Sequence, residues 1–303
     1  MSSLEKASIR RLRTGLVPSW ACERLSVGYA EAKSVVKNAL QTLADGQHLP
    51  PTYVHGDWGT GKTHFLDFVR HLAVSAGFAV ATVELNARNS AISHPQRLLP
   101  SIADRIQVGD AIGLRSAIMN ILHDDKKKEA LRAFAETGYA GGLYWSLVNL
   151  CRSFDGGDRL DLGNHSGWRM LYGSDIAWSD HSTRRDIALS RLEALAHLCR
   201  AVGFKGLVLI FDEAETIDQL WNIRSRIAAY EVFGRLQRMK NIWCIFGTTD
   251  RFDRTINIDL QQAVSAKAAG RSDALLFLKS WQGLRSVFIP PLVDDRRVQL
   301  PVI

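Results

Sequence analysis

Cysteine is scarce and unpaired in this 303-residue sequence: Cys22, Cys151, Cys199 and Cys244 lie far apart and no CxxC occurs. That pattern excludes a disulfide framework and a zinc knuckle, and predicts ordinary part-buried thiols in a reducing compartment. Long apolar runs are missing as well. The longest uncharged ones, such as 206–211, fall far short of the roughly 20 residues that a membrane-spanning helix needs, which excludes an integral membrane protein. The first twenty residues have basic side chains but neither an apolar h-region nor a small-residue cleavage site, so no secretory signal is expected and the protein is placed in the cytoplasm. There is no internal repeat and no HExxH; His64 and His71, seven apart on one predicted helix, are too isolated to form a metal site and read as packing or surface residues.

What is present is the composition of a folded protein, 46% hydrophobic and 23% charged, which excludes a disordered or collagen-like chain. The length suits two compact units or one large one with insertions. Lys and Arg outnumber Asp and Glu by 38 to 31, and the surplus is concentrated in 181–303, where the counts are 18 and 13. Such a balance permits contact with nucleic acid without requiring it, because a nucleotide site also uses positive charge. Arg224, Arg226, Arg235, Arg238 and Lys240 form the expected DNA-facing cluster, if duplex or single-stranded DNA is bound; the bland alternative is a solvated helix face.

Apolar spacing predicts a helix over 31–43, then a short strand over 52–55, a helix over 62–76 stopped at Gly77, and a buried strand over 78–85. These last three elements have the length of a right-handed βαβ unit and open a parallel sheet. Helical periodicity runs from 95 to 150 with breaks near Val108–Gly109 and 138–142. Lys126, Lys127 and Lys128 after Asp124 and Asp125 fit a solvated helix face, and the Gly- and Asp-rich stretch 153–182 fits a long ordered loop. A helix over 183–202 leads to a strand over 206–211 without polar alternation, a helix over 224–239 to a second such strand over 241–246, and a less regular region ends at 286–289. The predicted fold class is α/β: a parallel sheet flanked by helices with a helical insertion over about 95–182. Residues 1–50 form an N-terminal helical segment and 51–303 the core.

Gly56, Asp57, Trp58, Gly59, Thr60, Gly61, Lys62 and Thr63 fit GxxxxGK[ST], and the loop lies between a predicted strand and a predicted helix. There backbone N–H groups can cradle phosphates at a helix start, with His64 next in the chain. In this reading Lys62 reaches the β- and γ-phosphates of ATP and the Thr63 hydroxyl ligates Mg²⁺. Trp58 covers the nucleotide, touches a partner or simply packs. The hydrophobic run 207–211 ends in Asp212 and Glu213: Asp212 would hold the metal and Glu213 polarise the attacking water. The bland reading is a pair of acids capping the next helix, and Glu215 is expected at the surface. Asp212–Glu215 resembles a helicase box, yet the roughly 90 residues that follow cannot hold a second motor domain. The next strand runs into Thr248 and Thr249; the resemblance of this layout to additional-strand P-loop ATPases, where a polar residue at this strand end contacts the γ-phosphate or the lytic water, makes either a candidate, and the bland reading is a strand-end cap. Arg251 and Arg254 follow and could act in trans as arginine fingers.

With these residues in place the sequence resembles an AAA+-type (additional-strand) P-loop ATPase, and more narrowly the BrxD-like ATP-binding proteins of BREX bacteriophage-defence systems. The resemblance covers about 10–290 and rests on Arg11–Pro18, Val54–Thr63 with Gly77–Glu84, Gly203–Glu215 and Ile245–Thr249. It implies a cytoplasmic, defence-associated ATPase whose partners are other defence subunits and DNA, with a possible homo-oligomer. In AAA+-type folds an apolar segment before the first strand often forms the adenine pocket, here Val17–Pro18 and Leu25–Gly28. Relatives of this type have a helical lid and a winged-helix-like part after the core, whereas this sequence stops at Ile303; the lid and winged helix are expected to be missing, supplied by a partner or dispensed with. Two functions stay open, an ATP-hydrolysing motor and a nucleotide-gated scaffold with little turnover.

Overall fold

The computed structural model describes residues 30–86, 92–157, 165–173, 181–220, 222–262, 267–268 and 270–289. The expected adenine segments at 17–18 and 25–28, the 11–18 block and the C-terminal residues after 289 lie outside the described residues.

The chain enters through α1 (Ala30–Ala44) and then builds the βαβ unit: β1 (Thr52–His55), α2 (Lys62–Ser75) and β2 (Ala79–Glu84). It continues through α3 (Pro95–Arg105), β3 (Ile106–Val108), β4 (Ala111–Ile112), α4 (Leu114–Leu122), α5 (Asp125–Ala135), α6 (Tyr144–Asp155), α7 (Ser166–Leu171) and α8 (His181–Ala201). The remainder comprises β5 (Leu207–Asp212), α9 (Ile223–Arg238), β6 (Ile242–Thr248), α10 (Asp250–Gln261), α11 (Ser272–Ser280) and β7 (Arg285–Phe288). The strands make one sheet in the order β4-β3-β2-β5-β6-β1-β7. It is parallel except where β3 pairs antiparallel with β2 and with β4.

The unalternated apolar strands are explained by helices on both faces. Leu207, Leu209 and Phe211 of β5, with Ile242, Cys244 and Phe246 of β6, face one core built with α3, α8, α9 and α11. Val208, Ile210, Trp243 and Ile245 face the other, under α1 and α2. Cys151, Cys199 and Cys244 are free and buried within this packing, as ordinary thiols. The lysine run lies on α5, whose start is capped by Asp124 accepting from the Lys127 amide.

Three expectations need correction. The break near Val108–Gly109 is the β3–β4 hairpin, which extends the main sheet; its strands are too short to show a period of two. The stretch 153–182 holds α7, with Trp168 buried, and the start of α8 rather than a continuous loop. Among the described residues, the region after β6 contains α10, α11 and the edge strand β7.

Asp259 stands on the buried face of α10 beside Phe252 and Ile256. That carboxylate is answered from α9: Arg226 Nε and Nη2 donate to its two oxygens at 2.8 and 3.0 Å, and the buried Tyr230 hydroxyl donates at 2.6 Å. Arg226 is therefore committed to the interior, and Arg238 pairs with Asp273, so the expected DNA-facing cluster is reduced. Arg224 and Lys240 are exposed and Arg235 is half-buried. Replacing Asp259 by Ala leaves Arg226 and Tyr230 without their shared acceptor, and should cost about 3–5 kcal/mol in urea unfolding. A loss below about 1 kcal/mol would contradict the role given to this network.

Candidate functional site

The loop from β1 to α2 is shaped by close approach. A Cβ on Gly56 would lie 2.5 Å from the Ile289 carbonyl oxygen and 2.8 Å from Thr60 Oγ1, so only glycine fits there. Thr60 closes the turn by donating its hydroxyl to the Asp57 carbonyl at 2.9 Å. Gly61 takes φ 94° and α2 starts directly after it. Lys62 arches back, Nζ donating to the carbonyls of Gly56 and Asp57 at 2.8 and 3.0 Å, so its ammonium lies over the loop. Trp58 stands 74% exposed beside it, with Nζ 5.9 Å from the ring centroid. His64 is half-buried on α2, its pKa lowered by burial against the pull of Asp67, and His71 is half-buried further along.

Asp212 reaches this loop from the end of β5 although β6 lies between β5 and β1. Thr63 Oγ1 donates to Asp212 Oδ2 at 2.8 Å, and Asp212 Oδ1 accepts from the Glu213 amide at 2.9 Å. Gly247 of β6 opens the way: a Cβ there would lie 2.7 Å from Asp212 Oδ1 and 2.9 Å from Leu66 Cδ1. Sequence reasoning missed Gly247, although a glycine in an otherwise apolar strand was a signal of close approach. Glu213 adopts φ 59°, a left-handed conformation that a non-glycine residue holds only at some cost. Burial and then Asp212 push its carboxyl pKa up, while Lys62 opposes them.

Thr248 and Thr249 are both buried at the end of β6. The Thr248 hydroxyl leans on the Val54 carbonyl of β1 at 3.4 Å, whereas the Thr249 hydroxyl makes no cap bond at the start of α10. Arg251, 78% exposed, pairs within the chain with Asp218, Nε to Oδ2 at 3.2 Å; Arg254 is exposed on the same helix. His55 Nδ1 lies 3.8 Å from Asp250, linking the end of β1 to the start of α10.

Glu215 departs from expectation. It is 8% exposed, and its Oε2 has no hydrogen-bond partner among the described residues. A 3₁₀ turn over Ala214–Gln219 folds it inward, where a helix face would have carried it out to solvent. Glu84 ends β2 in register with Asp212, so the strand ends gather several carboxylates around one lysine.

An α/β sheet with a glycine loop between its strand β1 and helix α2, and an acidic strand end hydrogen-bonded to the first turn of that helix, has the arrangement of a P-loop-like nucleotide protein. The family model of the BREX system ATP-binding protein BrxC/D matches residues 3–107 and 182–263, more than half of the sequence, and the chain belongs to that family. It is thereby an ATP-binding component of a BREX defence system, a setting that implies other system subunits. No individual curated protein matches it. The interval between the two matched stretches holds β4 and α4 to α7. Among the described residues no helix is long and apolar enough to cross a membrane.

Burial, with Glu213 and Asp212 adding and Lys62 opposing, pushes the Glu215 carboxyl up to about 7 from its ordinary 4.5. The folded state then holds a proton that the unfolded chain has released, so this group makes stability fall as pH rises from about 4.5 to 7. Glu215→Gln should flatten that fall in thermal unfolding, and stabilise the protein at pH 8 by on the order of 1–3 kcal/mol. A variant less stable at pH 8, with the pH profile of the wild type, would contradict this.

Proposed function

We propose that the chain is an ATP-hydrolysing P-loop ATPase of the AAA+ type, the nucleotide-driven subunit of its BREX system in the cytoplasm. The observation that carries the reading is the 2.8 Å hydrogen bond between Thr63 and Asp212, with Glu213 adjacent. A hydroxyl and a carboxylate from two elements converge beside the phosphate-type loop. Hard oxygen donors of this kind suit Mg²⁺, which takes one or two protein ligands and completes its shell with water and phosphate. Bound there, the ion would neutralise phosphate charge.

The chain's own groups supply the rest. Backbone N–H groups of the 56–61 loop and the start of α2 hold the β- and γ-phosphates. The Lys62 ammonium leaves the loop carbonyls for phosphate oxygens, a charge-assisted exchange. Glu213 accepts the proton of the water that attacks the γ-phosphorus as the bond to the β-phosphate oxygen breaks, giving ADP and phosphate. Thr249, with its hydroxyl free of capping, orients that water or the γ-phosphate, and Thr248 supports it from the sheet. Arg251 and Arg254 act on a neighbouring copy's nucleotide in a homo-oligomer. Residues 1–50 form the entry segment and 51–303 the core, with the mostly helical stretch over about 95–182, which joins the sheet at β3 and β4, left for partner subunits.

A nucleotide-gated scaffold with little turnover is the second reading. The pairing of Arg251 with Asp218 in the same chain favours it, because a finger so held is withdrawn from a neighbour.

Lys62→Ala should lower ATP affinity at least about tenfold by calorimetry, through loss of its charge from the cradle. Glu213→Gln should bind ATP like the wild type and hydrolyse it about 10²-fold more slowly or worse. Equal turnover by the Gln variant would overturn the hydrolytic reading and leave the scaffold.

A further inference from the structure

Ile223, Arg224 and Ile227 at the start of α9, with Lys267 and Arg271, line a half-open cavity of about 340 Å³. That volume lies at the small end of small-ligand sites. Three of its five walls are cations and none is a carboxylate. Among the described residues, Arg224 and Lys267 have no acidic partner. Arg271 donates to Glu231 at 2.9 Å, and Glu231 also accepts from Arg185 at 2.6 Å, which pairs with Asp186 as well. Arg224 and Lys267 therefore leave the cavity electropositive. Placing like charges around one hollow costs self-repulsion that an anion relieves. The isoleucines supply an apolar floor, with Ile227 buried.

We infer that this cavity is a second anion site, separate from the 56–63 loop, which takes a phosphate group with a sugar or base resting on Ile223 and Ile227. Phosphodiesters of a nucleic acid strand and free phosphate compounds share that chemistry. Guanidiniums grip phosphate oxygens in pairs, and the lysine adds a point charge. The site does not depend on the nucleotide reading of the loop.

The test uses the full chain carrying Lys62→Ala, which disables the loop. A fluorescein-labelled 20-nucleotide single strand is titrated by anisotropy at several salt concentrations, and pyrophosphate is then titrated by calorimetry. The comparison is the same protein with Arg224→Glu and Lys267→Glu, accepted when its thermal unfolding matches the parent. Arg224→Ala with Lys267→Ala replaces it if charge reversal unfolds the protein. If a strand is the ligand, the pair of substitutions weakens its binding at least about tenfold and lowers the log–log salt slope by about 1.4. If free phosphate compounds are the ligand, the loss appears with pyrophosphate and the strand does not bind. Both results support the site. Equal affinity of parent and variant for both probes, or no binding of either probe by the parent, overturns it.

Discussion

Everything at the candidate site depends on one narrow passage, the point where Asp212 of β5 reaches α2 across the intervening β6. The sheet order separates the acidic strand end from the loop strand by a full strand. A side chain on Gly247 would collide with Asp212 and with Leu66 of α2. Its absence lets the carboxylate, the Thr63 hydroxyl and the loop meet within hydrogen-bond distance. The two buried cores on either side of β5 and β6 hold that geometry through close packing against helices on both faces.

The same convergence has an electrostatic cost. Asp212, Glu213 and Glu215 crowd one end of the sheet with Glu84 at its flank, and Lys62 is the cation that acts on Glu213 and Glu215. Burial raises both glutamates, and Glu213 also holds a left-handed backbone. Such strain and crowding gather where a ligand of opposite charge is to be received. Elsewhere the fold settles its buried charge internally, as with Asp259 between Arg226 and Tyr230.

The parts of the site readable from sequence are those fixed by local order. Strand, glycine loop and helix follow one another in the chain, and the 207–211 run ends in its acids, so Lys62, Thr63, Asp212 and Glu213 could be named as candidates without coordinates. What escaped was set by tertiary contact. Nothing local distinguishes Glu215 from an exposed acid until the 3₁₀ turn folds it inward. The burial of Asp259 on α10 depends on two partners from another helix, Arg226 and Tyr230. The β3–β4 hairpin exists only because β2 offers it an edge. Arg226 reads as a surface cation in sequence and becomes an interior one through a residue 33 positions away.

The central claim, that Thr63 and Asp212 jointly form a metal-assisted phosphate site, is tested most directly by ATP affinity with and without Mg²⁺. Calorimetric titration of wild type and Asp212→Asn in both conditions should show Mg²⁺ tightening ATP binding to the wild type. In the Asn variant that increment should be lost while metal-free affinity stays unchanged. An equal Mg²⁺ effect in both proteins would contradict the account.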